Sequence, residues 1–261
     1  MKLQVLTLDQ LHIRDEAAII GLPVYLQLKR RLITDGYRFR VPGAGDDPPG
    51  WGRTVFLNLT WWNAGDAQDV LEGPEIDADV VAHVGWHHCL RAHLGADAAC
   101  ADGLFFGEAV ASAFDLYLIG SALGVAEGSS LIETQVPLLV DTLADAGLDA
   151  EDAQAVIEDV AEDPVRAFEE LRALLFQVGT ELVQARGVDE AVERLHAVRR
   201  HRFAPLLHRF ELSNWLLYAR AWAGDALEPR PAVRALDAAL RESPDPLGLL
   251  CRWCGLSAPG A

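Results

Sequence analysis

The spacing of apolar residues divides this chain into a short β-prone beginning and a long helical remainder. Residues 2–8 alternate weakly, as a strand does, and 14–34 carry the helical period, with Pro23 set as a kink or boundary. Tyr37-Arg38-Phe39-Arg40-Val41 alternates again. A loop rich in Gly, Pro and Asp follows from Pro42 to Gly52. Thr54 to Trp62 is β-branched and aromatic and is the best strand in the chain. Beyond residue 75 the period becomes helical throughout. It predicts helices near 77–94, 104–124, 131–146, 150–161, 164–186, 188–200, 206–223 and 231–242, with Gly103 to Gly107 leading into the second of them.

The expected fold is therefore mostly α, of α+β class, with a small N-terminal β portion followed by a large helical bundle. The expected division is an α+β portion over 1–75 and a helical portion over 76–261, joined in one integrated domain. The 261 residues are 51% hydrophobic and 23% charged, enough apolar material for a sizeable core.

Charge narrows the partners. Acids outnumber bases, 39 against 22, for a net −17. Nucleic acid and anionic membrane surfaces would both repel such a chain. No stretch reaches the roughly 20 unbroken apolar residues of a membrane helix. The first eight residues lack the apolar core of a secretion signal, so the expected location is the cytoplasm. Two lysines against twenty arginines, with abundant alanine, point to a GC-rich bacterial genome. The charges are also unevenly placed. Residues 141–170 hold eleven acids and one arginine, and residues 194–209 hold five arginines and three histidines without an acid. These segments are expected to face each other rather than a partner.

Four of the eight histidines, His83, His87, His88 and His93, fall within eleven residues. His83 and His87 are four apart, so they share one helical face and can grip one metal ion. His88 lies about 100° around the helix from His87 and is read as facing elsewhere, and His93 is read as a surface residue. A metal held by two imidazoles needs a further protein ligand. Glu108 stands 21 positions after His87, isolated among Phe105, Phe106, Gly107, Ala109 and Val110, where a bare carboxylate is costly. A helix, a turn and an antiparallel helix would return it to the histidine pair. Two His and one Glu leave coordination positions open, the arrangement of catalytic metal sites.

Val80-Val81-Ala82-His83-x-x-x-His87-His88, followed by Gly107-Glu108-Ala109-x-Ala111, resembles the gluzincin metallopeptidases. The resemblance spans roughly residues 54–120 and takes 54–62 as the strand before the zinc helix. It implies a metallopeptidase-like architecture, zinc as the metal, and ligand roles for His83, His87 and Glu108. It also implies a general-base glutamate after the first histidine, where this chain has Val84. Valine cannot accept or give a proton. Candidates for the remaining chemistry are Asp115, on the same helical face as Glu108 and suited to hold a ligand imidazole, then Tyr117, His201 and His208. The alternatives to a degenerate zinc peptidase are a non-haem iron enzyme, since two His and one carboxylate also make the iron facial triad, and a non-catalytic interaction module acting on a protein partner.

Two weaker features complete the survey. Cys251-Arg252-Trp253-Cys254 is half of a zinc site, which Cys89 or Cys100 could extend, but buried structural cysteines are the better reading. Trp215, Tyr218 and Trp222 form a stripe at helical spacing, which reads as core.

Overall fold

The computed structural model describes residues 3–42, 69–126, 128–210, 212–222 and 227–257. The strand expected at 54–62 lies outside them, as does most of the loop expected at 42–52. The observed chain is mostly helical with a few short strands, as the pattern predicts.

Among the described residues four strands make two small pairs. β1 (Leu3–Thr7) lies antiparallel to β3 (Arg38–Pro42), with Leu3 opposite Pro42 and Thr7 opposite Arg38. Alternation in β3 turns Phe39 and Val41 fully inward. β2 (His12–Arg14) runs parallel to β4 (Glu75–Asp77), and Arg14 bonds both carboxylate oxygens of Asp77 at 2.8 Å. The helical stretch expected over 14–34 is split. A single turn, α1 (Glu16–Ile19), precedes α2 (Pro23–Thr34), and Pro23 occupies the first turn of α2, where its missing N–H costs nothing.

The remainder is α3 (Ala78–Leu94), α4 (Ala101–Ala122), α5 (Ser130–Asp145), α6 (Ala150–Glu162), α7 (Pro164–Leu182), α8 (Val188–Ala197), α9 (Leu212–Trp222), α10 (Pro231–Glu242) and α11 (Pro246–Trp253). Side-chain caps open several of them. Ser129, Asp149, Asp163 and Asp245 each accept a bond from a backbone N–H in the first turn of the helix they precede.

Two further departures lie toward the C-terminal end. The helix expected over 206–223 is a 3-10 helix from Ala204 to Phe210 followed by α9. α11 was not expected, although Asp245-Pro246 is a cap followed by a proline at the first helical position.

α4 is the centre of the molecule. Nearly every residue along it is buried, including Phe105, Phe106, Ala109, Val110, Phe114 and Leu118. It packs chiefly on α7 and α3. By length and composition it could cross a membrane, but 89% of that stretch is covered by the rest of the protein. Gly103 to Gly107, expected to lead into this helix, already belong to it. One connected set of buried side chains runs from Leu8 and Val24 in the N-terminal portion through α4 to Leu250 in α11. Gly85 permits the close approach of α2 on α3, since a Cβ there would sit 2.9 Å from the Cβ of Leu28.

A candidate metal centre between two antiparallel helices

α3 ends at Gly95, whose positive φ of 57° suits glycine, and a short 3-10 turn (Gly95–Ala99) leads into α4. The side-chain pairings fix the relative direction of the two helices. His87 meets Glu108 and, one turn back along α3, His83 meets Asp115 farther along α4. The ladder runs oppositely on the two helices, so they are antiparallel, and the helix–turn–helix expected from the sequence is what joins the histidines to Glu108.

His83, His87 and Glu108 each offer one ligand atom, and these atoms lie within 4.8 Å of one another. The separations are 3.3 Å between the two Nε2 atoms and 3.2 Å from His87 Nε2 to Glu108 Oε1. Bonds of about 2.0–2.1 Å in a tetrahedron give ligand–ligand edges of about 3.3 Å. Two of the three separations match such an edge and the third lies within 4.8 Å, so the groups are close enough to hold a metal ion. The His83 and His87 side chains are 30% and 34% exposed, so the centre is open on one side, whereas Glu108 is 7% exposed. Asp115 Oδ2 holds His83 Nδ1 at 3.0 Å. That contact orients the ring and leaves Nε2 toward the other two ligands, the usual support for a metal-binding imidazole.

The electrostatics without metal follow from this geometry. Burial disfavours a charge on His83, but the carboxylates of Asp115, Glu108 and Asp69 outweigh it and raise its pKa to about 9. Burial and the charge of His83 lower His87 to about 3. Burial raises Glu108 to about 7, opposed by His83 and reinforced by Asp115 and Asp69. His83 is thus an imidazolium at neutral pH. It donates Nδ1–H to Asp115 and Nε2–H to the neutral His87, so a proton lies between the groups that would share a metal.

The other residues singled out by sequence divide sharply. Asp115 is in the centre. Tyr117 is buried on α4, stacked on Phe114 with centroids 5.0 Å apart, and does not line the cavity. His201 accepts from the Phe203 N–H, and His208 is exposed; neither borders the cavity. His88 bonds Asp35 at 2.7 Å and His93 stacks on Trp253, both away from the ligands. Val84 is buried in the core and is also absent from the cavity wall. The four cysteines are buried and free. Cys254 donates to Cys89 and its own thiol is pushed up, while Cys100 donates to the Asp97 carbonyl at 2.9 Å. The two oppositely charged segments meet through Arg202, which contacts Asp159 and Glu170. Arg194 pairs instead with Glu190, Arg199 with His196, and Arg209 with Gln135.

A cavity of about 290 Å³ opens onto the centre. Besides His83, Glu108 and Asp115 it is bordered by Asp79, Ser112, Gln135 and Arg209, with an apolar remainder that includes Trp215. Asp79 was not singled out from sequence, although it stands four residues before His83 on the same helical face. Burial and the nearby Asp115 raise its pKa to about 6. Trp215 serves as wall of the cavity as well as core, being 6% exposed.

Comparison with known proteins adds no family: no protein-family model, no curated protein and no solved structure matches this chain.

Proposed function

We propose that His83, His87 and Glu108 bind one divalent metal ion, zinc in first place, and that the adjoining cavity is the substrate site of a metal-dependent enzyme of hydrolase-like chemistry. The observation that carries this reading is the triangle of ligand atoms with edges of 3.2 and 3.3 Å, backed by Asp115 on the His83 ring. A divalent ion there would supply Lewis-acid polarisation of a substrate oxygen or activation of water. Asp115 fixes the His83 ring. Asp79, ionised above about pH 6, is the carboxylate on the cavity wall suited to accept a proton in place of the base that Val84 cannot provide. A general peptidase role is not part of the proposal, because the base position of such a helix carries a buried valine.

The test is elemental analysis of protein purified without a metal-binding tag. About one zinc per chain is expected. His83→Ala/His87→Ala and Glu108→Ala should remove it, His93→Ala should not, and casein should stay intact with every form. Full metal occupancy in the double variant would end the reading. Iron in the same positions, with oxygen uptake on reconstitution, would instead favour the non-haem iron enzyme.

A further inference from the structure

Arg209 lines the same cavity as the candidate metal ligands, at the end of the 3-10 helix. One of its guanidinium nitrogens, Nη2, donates to Gln135 Oε1 at 2.6 Å. The other, Nη1, is buried and has no hydrogen-bond partner. Three other arginines among the described residues also have a buried nitrogen without a bond, but each of them touches a carboxylate. Arg172 has Glu169 and Asp237, Arg194 has Glu190, and Arg202 has Asp159 and Glu170. Among the described residues, the side chain bonded to Arg209 is a neutral amide. Asp115 is near enough to act on its charge, yet its Oδ2 is committed to His83 and it forms no ion pair with Arg209. A guanidinium partly withdrawn from water with no carboxylate bonded to it among the described residues is costly, and the fork of Nη1 and Nη2 matches a carboxylate.

We propose that the cavity binds an apolar monocarboxylate whose carboxylate docks on Arg209. This builds on the metal-site reading and names its substrate class. Leu116, Ile119, Leu139, Leu206, Phe210 and Trp215 surround the rest of the space and suit a hydrocarbon or aromatic body. A single negative charge fits better than a phosphate dianion, because Asp79, Glu108 and Asp115 border the same cavity. Gln135 holds the guanidinium from the α5 side, making it a positioning residue.

The probe is 3-phenylpropionate against its uncharged counterpart 3-phenylpropionamide, each titrated calorimetrically into the purified full chain whose zinc content is measured on the same sample. The acid should bind the wild type at least about tenfold more tightly than the amide, and Arg209→Gln should abolish that preference with zinc content unchanged. The acid, and not the amide, should protect Arg209 from modification by phenylglyoxal, read by peptide mass spectrometry, which needs no variant to fold. Failure of the acid to bind, equal affinities in the wild type, or an undiminished preference in a folded Arg209→Gln protein would overturn the proposal. If zinc is absent while the acid preference persists and depends on Arg209, the metal reading has failed and this one stands. If zinc is present without the preference, the reverse holds.

Discussion

Two buried polar regions of this protein handle charge in opposite ways. Arg172 on α7 is fully buried, and its guanidinium is met by Glu169 at 2.7 Å and Asp237 at 2.9 Å. The cavity beside α3 and α4 instead holds Asp79, Glu108 and Asp115 near His83 and Arg209, with Asp115 Oδ1 and Arg209 Nη1 unbonded. In the first region two carboxylates offset the charge and tie helices together, although Arg172 Nη1 is itself unbonded. In the second the partners are incomplete around an accessible space. Buried charge that is matched serves the fold; part-buried charge left open beside a cavity is, in the reading proposed above, what a ligand would meet.

Stability should separate the two regions most strongly. Arg172→Met leaves Glu169 without its cation and Asp237 with Arg241 alone, and should cost about 3 kcal/mol in urea unfolding, within the range for breaking a buried pair. Arg209→Met removes a charge that no described carboxylate bonds directly and should cost less than about 0.5 kcal/mol. Equal losses would make Arg209 a structural residue and erase the contrast.

A smaller effect sharpens the picture of the metal centre. Asp115→Asn should lower metal affinity about 10- to 100-fold, by loosening the His83 ring while leaving all three ligands in place. Competition with a chelator measures it, and an unchanged affinity would show that Asp115 does not support the site.

The smallest effect per step is with pH. In the metal-free protein, His83 titrates near 9 instead of its ordinary 6.5, so its contribution to stability is complete below pH 6.5 and is lost as pH rises through 9. Metal binding has the opposite dependence, because the ion must displace that proton. Apparent affinity should rise about tenfold per pH unit between 7 and 9, and more steeply below 7, where Glu108 also gives up a proton. Calorimetry in buffers of different ionisation heat counts the protons. A flat profile would mean that His83 is neutral before metal arrives.

Local spacing made the histidine pair and its carboxylate legible, because four residues on a helix and an antiparallel return are regular geometry. The helices from Ala78 to Leu182 were legible for the same reason. β4 was not, since three residues carry no measurable alternation and Glu75–Asp77 is a strand only because it pairs with His12–Arg14, some sixty positions earlier. The 3-10 turn before α9 was hidden because apolar spacing around Leu206 and Leu207 suits an α-helix and a short run does not distinguish the two helix types. Arg209 was visible as one member of a basic stretch. Its distinction from Arg202 depends on which side chain each one meets, Gln135 or a carboxylate pair, and that is set by tertiary packing.

Glu108 and Asp115 sit on α4, the helix most deeply enclosed by its neighbours. Segments of that kind exchange their amide hydrogens only when the whole molecule opens. The backbone that carries these two carboxylates therefore has no low-energy breathing motion of its own. In the reading proposed above, an ion or a substrate would come and go through the mouth of the cavity, and the two carboxylates would stay in place for as long as the fold does.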